Sequence, residues 1–151
     1  MGTRSLTRVI EDGETLVTMY RQYDGYPEGH GKDLAKFLKP IRMVNGIDVG
    51  VDGSKVQIAN GAGCLAAQLV GHFKKKFGVG GIYIVPSKKG ENHWQEYEYD
   101  IVISGNLDNR DVIVNAYSKY SRRKLLFSSP ASGMVEALKA YEKKCEAEEN
   151  E

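Results

Sequence analysis

The sequence predicts an α+β domain: an antiparallel sheet of hairpin-linked strands with about three helices packed on it, spanning residues 1–151. Three observations lead there. Short runs rich in β-branched and aromatic residues come in pairs, each bracketing a turn or a polar loop. Apolar residues three and four apart mark helices between and after those pairs. The strand–helix–strand alternation of a doubly wound parallel sheet is absent.

Ser5–Ile10 and Thr15–Tyr23 flank Glu11-Asp12-Gly13-Glu14, and Asp-Gly suits a tight hairpin turn with positive φ. The second strand runs into Asp24–Gly31, which holds three glycines and a proline in eight residues and is expected to be a loop. A short helix follows, with Leu34, Phe37 and Leu38 on one face and Pro40 as its stop. Residues 41–59 give no clear periodicity. Val44-Asn45-Gly46 and Asp52-Gly53-Ser54 read as turns, with a short strand at Lys55–Ile58. Asn60-Gly61-Ala62-Gly63 then opens the clearest helix, whose stripe is Leu65, Leu69, Phe73 and Phe77, widened by Ala66 and Val70.

Ile82–Val85 and Tyr97–Ile103 are strands on either side of the polar loop Pro86–Glu96. Asp111–Tyr117 and Lys124–Phe127 form a further pair around the basic turn Ser121-Arg122-Arg123. The last helix is expected to start near Ser129-Pro130, with Ser as cap and Pro in the first turn. Val135, Leu138, Tyr141 and Cys145 are its inner face, and Glu146–Glu151 is a frayed acidic tail.

With 41% apolar and 27% charged residues, the composition is globular. The 21 basic and 20 acidic side chains nearly cancel, which leaves no long-range field to gather a polyanion and argues against tight generic nucleic-acid binding. Cys64 and Cys145 are expected to be plain thiols, too few for a disulfide framework or a cysteine zinc site. Met1–Ile10 lacks the apolar core of a signal peptide, and no run approaches the ~20 apolar residues of a membrane helix. The cytoplasm is the expected compartment, and no membrane partner is expected.

Asp24–Gly31 is the most unusual segment. It sets Asp24, Tyr26, Glu28 and His30 just after Tyr20, Arg21 and Tyr23, and loops held by a sheet commonly carry binding groups. One reading pairs His30 with a carboxylate as a proton-transfer group. The other makes the loop a tight corner in which Tyr26 packs and His30 bonds backbone. Asn60-Gly61-Ala62-Gly63 at a helix start is either an anion seat or an ordinary N-cap with small residues for close packing.

His72 lies at the edge of the helix stripe. With His30 and His93 in other elements, no metal-binding spacing occurs, and neither a metal nor a cofactor is expected. Trp94, beside Lys88 and Lys89, either stacks on a planar ring or folds over the sheet edge. Arg122-Arg123-Lys124 is either a solvated turn or a phosphate contact. Serine-nucleophile and Walker signatures are missing.

The segments Met19–Gly31, Val44-Asn45-Gly46-Ile47, Asn60–Leu69, Gly81–Pro86 and Glu96–Tyr99 resemble a family of small uncharacterised proteins of phages and bacteria. The resemblance covers residues 3–103 or so and leaves the C-terminal third aside. It implies a setting and not a mechanism, since no activity is established for the family. Small phage proteins without catalytic signatures are often accessory factors that blunt host defence, and one class sequesters nucleotide signals.

The expected function is therefore a ligand-binding protein, homo-oligomeric, that takes a nucleotide-like small molecule. Arg21, Asn60, Gly61 and Gly63 would hold phosphate. Tyr20, Tyr26 or Trp94 would stack on the base, and Asp24 and His30 would bond its polar edges. Two alternatives stand beside it: a phosphodiesterase or nuclease using His30 or His72, with Asp24 in support, and a module that binds a host enzyme through the Trp94 hairpin.

Overall fold

The structure is a computed structural model in which residues 2–46, 57–75, 78, 80–88, 92–106 and 109–151 are described. The proposed turn at Asp52-Gly53-Ser54, the start of the strand at Lys55, Phe77 of the helix stripe, and Lys89 lie outside them.

Strands β1 (Ser5–Glu11) and β2 (Glu14–Arg21) form the expected hairpin. Asp12 and Gly13 both take positive φ, 49° and 85°, the geometry that matches a two-residue turn to the twist of its strands. Four further strands complete a six-stranded sheet: β5 (Ile82–Ile84), β6 (Tyr97–Asn106), β7 (Asn109–Ser118) and β8 (Lys124–Pro130), in the order β5-β2-β1-β6-β7-β8. A separate pair, β3 (Ile41–Val44) and β4 (Gln57–Asn60), is parallel.

In the large sheet four neighbouring pairs are antiparallel and one, β1 with β6, is parallel, from Ser5 opposite Tyr97 to Glu11 opposite Ile103. A parallel pair needs a long crossover. Here the connection runs from Asp12 to Glu96 and holds, among the described residues, β2, two helices and three shorter strands, so no simple strand–helix–strand pattern marks it.

Helix α1 (Lys32–Leu38) buries Leu34, Phe37 and Leu38 as expected, and α2 (Gly61–Phe73) buries Leu65 and Leu69. The last helix, α3 (Met134–Glu149), begins later than Ser129-Pro130. Those two residues remain in β8, paired with Val114 and Ile113, and a 3₁₀ turn at Ala131–Gly133 precedes the helix. Pro130 fits there because the last residue of an edge strand can lack an N–H. Its inner face includes Met134, and the helix continues to Glu149 through the stretch expected to fray.

Period two along the strands sorts the sheet into two faces. Val9, Met19, Tyr99, Ile101, Ile103, Val114 and Ala116 pack with the helix residues Leu34, Leu38, Leu65, Leu69, Met134 and Leu138 in one core. Their neighbours Arg8, Thr18, Glu98 and Asp100 point the other way, where none of the described helices packs.

The segment expected to be a loop is partly regular: Pro27–Gly31 winds as one π-helical turn directly into α1. Close approach explains its composition. A Cβ at Gly29 would sit 2.4 Å from the Asp24 carbonyl oxygen, and one at Gly25 would sit 2.8 Å from the Arg4 backbone. Tyr99 Oη donates to the Gly25 carbonyl at 2.8 Å, tying the turn to the core. Of the described residues, no helix is long and apolar enough to cross a membrane.

Candidate functional site

Arg21 is the last residue of β2, on the helix-covered side of the sheet. Its Nε donates to the Tyr23 carbonyl at 2.8 Å. Its Nη1 lies 2.9 Å from His30 Nδ1 and 3.2 Å from Asp33 Oδ2. A guanidinium only donates, so His30 Nδ1 is the acceptor and its ring proton sits on Nε2. That N–H then donates to Thr7 Oγ1 at 2.8 Å.

His30 is fully buried, with Phe73 and Tyr99 edge-on at 5.0 and 5.3 Å between ring centroids. Burial, and secondarily the Arg21 charge, lower its pKa to about 3. A neutral imidazole with both nitrogens engaged neither shuttles protons near pH 7 nor reaches a ligand. The sequence brings Arg21 and His30 together as expected, but His30 stands behind Arg21 and aims it.

Arg21 opens onto a cavity of about 630 Å³ between α1, the C-terminal end of α2 and the start of β5. Lys36, His72 and Lys75 line it with Arg21, beside the rings of Tyr23, Phe37 and Phe73. Asp33 is the one carboxylate on that wall among the described residues. Among the described residues Lys36 and Lys75 have no ion pair, so the cavity carries an uncompensated positive charge. His72 stacks on Phe37 at 4.7 Å. Partial burial, then the Lys75 charge, lower its pKa, so it too favours the neutral form.

The other expected ligand residues lie elsewhere. Tyr20 follows Met19 and precedes Arg21, so it faces the uncovered side of the sheet. Trp94 lies on that same side, 73% exposed, and lines a separate cavity of about 630 Å³ with Tyr20 and Tyr83. Tyr23 lines both cavities.

Asp24 and Tyr26 build the turn. Asp24 takes φ 56°, its carbonyl accepts from the His30 N–H at 2.7 Å, and its Oδ1 accepts from Tyr26 Oη at 3.3 Å. Asn60 makes no side-chain cap; its Oδ1 accepts from the Gly46 N–H at 2.8 Å. Gly61 needs its positive φ of 78°, but a Cβ at either Gly61 or Gly63 would meet nothing, so close packing does not explain them. Eleven residues of α2 separate Gly61 from His72, roughly 16 Å along the axis. The helix start is thus not part of the Arg21 cavity.

The uncovered face holds a cluster that the sequence reading missed. Arg8 Nη1 reaches Glu98 Oε2 at 3.2 Å and Asp100 Oδ1 at 3.0 Å. Arg123 spans the same two carboxylates from the far side, Nε to Glu98 Oε2 and Nη2 to Asp100 Oδ2, each at 2.7 Å. Its guanidinium covers the Tyr117 ring at 3.5 Å. The basic turn is therefore not simply solvated: Arg123 folds back onto the sheet.

Glu98 is 2% exposed. Burial would push its pKa up, but hydrogen bonds from Arg8, Gln95 and Arg123 hold it at about 2. Gln95 also accepts from the His93 N–H at 2.9 Å, joining this network to the turn that carries Trp94. In the sequence the one trace is Glu98 and Asp100 alternating with Tyr97, Tyr99 and Ile101. Any half-solvated strand shows that pattern.

Among the described residues no group of three or more His, Cys, Asp or Glu could hold a metal, and Cys64 and Cys145 are free thiols. Comparison with family models, curated proteins and solved structures finds no match to this chain.

Proposed function

We propose that this protein binds and sequesters a small anion of nucleotide type in the cavity beside Arg21. One observation carries the reading: an arginine fixed from behind by a buried, neutral histidine faces a cavity lined, among the described residues, by two further lysines and one carboxylate. A pre-aimed guanidinium loses little side-chain entropy on binding and suits the planar, multi-oxygen geometry of phosphate. Tyr23, Phe37 and His72 supply ring faces for a base. In this reading Arg21, Lys36 and Lys75 hold phosphate and His30 stays a support. Sequestration of a nucleotide-derived signal by a phage accessory protein, acting in the host cytoplasm as an oligomer, is the setting we propose for it.

His72 favours a second reading. It is the imidazole on the wall of the same cavity, and a neutral form at pH 7 suits a general base for phosphodiester cleavage. One experiment tests both. Small molecules released from freshly purified, heat-denatured protein are identified by mass spectrometry, and the corresponding nucleotides are then titrated by calorimetry and incubated with the protein. An intact nucleotide that binds wild type and not Arg21→Ala supports sequestration. Its conversion to product, lost in His72→Ala, supports hydrolysis. Equal binding by wild type and Arg21→Ala contradicts both.

A further inference from the structure

The uncovered face of the sheet has its own binding architecture, independent of Arg21. Two cavities of about 630 and 560 Å³ lie side by side on it and share His93. The first is aromatic. Tyr20 lies 6.3 Å from Tyr83 and 6.1 Å from His93, and Trp94 stands beside them. Tyr83 is fixed by the Gly80 N–H donating to its hydroxyl at 3.0 Å and by the Lys74 ammonium over its ring at 5.0 Å. Trp94 takes φ 57°, a conformation that bulky residues rarely adopt, and Asn92 Oδ1 accepts from its N–H at 2.8 Å. A left-handed backbone, secured by its neighbours, thus holds a large apolar ring out in solvent.

The second cavity is basic. Among the described residues Arg8, Lys88, Lys119 and Arg123 line it against Glu98 and Asp100, four cations to two carboxylates. The carboxylates are engaged by Arg8 and Arg123, and Lys119 Nζ lies 3.4 Å from Glu98 Oε1, while Lys88 has no ion pair among the described residues. Rings at one end, and at the other a cation with no ion pair among the described residues, are complementary to bases and phosphates.

We infer that this face binds a short stretch of single-stranded nucleic acid, its bases stacking on Trp94, Tyr83 and Tyr20 and its backbone passing Lys88 and Lys119. A duplex hides its base faces and offers these rings nothing. A lone nucleotide is too short. Tyr83 lies on β5 and Lys119 reaches Glu98 on β6, three strand spacings away, roughly 14 Å, farther than a base lies from its own phosphate. Neighbouring nucleotides of one strand meet both. Few cations are in surplus, so binding is modest and depends weakly on salt, as the near-neutral total charge of the chain requires.

The probe is a fluorescein-labelled oligothymidylate of about eight nucleotides, followed by anisotropy. Wild type is expected to bind it at micromolar concentration and to show quenching of its single tryptophan. Trp94→Ala and Tyr83→Ala should each weaken binding about tenfold, the loss of one stacked base. Trp94→Phe should keep most of the affinity, and Arg21→Ala should leave it unchanged, which separates this site from the nucleotide cavity. Unaltered melting temperatures would show that the variants fold. Binding undiminished by Trp94→Ala, equal affinity for an abasic strand of the same length, or full competition by thymidine monophosphate would each overturn the inference. So would the absence of saturable binding.

Discussion

Thr7 and Arg8 are neighbours on β1, and they show how differently the two faces of one sheet deal with buried polar groups. Thr7 points under the helices and meets His30, which is held neutral and shares one hydrogen bond with each of Thr7 and Arg21. Arg8 points to the uncovered face and meets Asp100 and Glu98, and Glu98 stays ionised because two arginines and a glutamine satisfy it. Under a closed apolar cover the imidazole gives up its charge; under a thin, polar cover, charges persist if every lone pair is used. The two proposed sites follow the same division. The covered face lends rigidity to one arginine at its edge, and the uncovered face builds a surface.

The comparison breaks most completely if the covered face is not the stabilising one. Leu69→Ala removes a fully buried side chain from α2 and should cost about 2–5 kcal/mol in chemical denaturation. A loss below about 0.5 kcal/mol, typical of surface sites, would mean that the core is misplaced.

Glu98→Gln comes next. It weakens charge-assisted hydrogen bonds from both arginines and should cost roughly 1.5–3 kcal/mol at neutral pH. It also dissects the acid response. Glu98 has a folded pKa near 2, below its ordinary 4.5, so its contribution is complete above about pH 4.5 and is lost as pH falls toward 2. His30 acts earlier. Its folded pKa of about 3 lies below the unfolded 6.5, so the unfolded chain takes up the proton first, and stability falls as pH drops from 6.5 toward 3. Each group contributes at most about 1.4 kcal/mol per pH unit. In Glu98→Gln the loss from pH 6.5 downward should remain while the additional loss below 4.5 shrinks. An unchanged profile below 4.5 would show that the open-face network does not titrate as a unit with the fold.

How far the sequence could anticipate this contrast depends on spacing. Leu65 and Leu69 recur at helical period, and Asp12-Gly13 sits between alternating strands; both signals are local and both elements formed as expected. The parallel contact of β1 with β6 joins residues about ninety positions apart through an irregular crossover, and nothing local marks it. The same holds for Arg8, Glu98 and Arg123, each an ordinary polar residue in its own stretch. Arg21 and His30 were legible as partners because one short turn separates them. The burial of His30 was not, since it depends on Phe73 and Tyr99 arriving from other elements.

The smallest expected effect is the most specific. Arg21→Ala should leave the chain folded and weaken nucleotide binding at least about tenfold, near 1.4 kcal/mol. A variant that unfolds instead would make Arg21 a structural residue whose bond to His30 serves stability alone.

The claim that a neutral, buried His30 aims Arg21 into an anion cavity is tested most directly by nitrogen-15 NMR of the imidazole ring. The ring is expected to be neutral and protonated on Nε2 from pH 7 down to about pH 4, with the Nδ1 resonance moving when nucleotide is added and Arg21 shifts its hydrogen bonds. A ring doubly protonated at pH 6, or an Nδ1 resonance unmoved by saturating nucleotide, would contradict it.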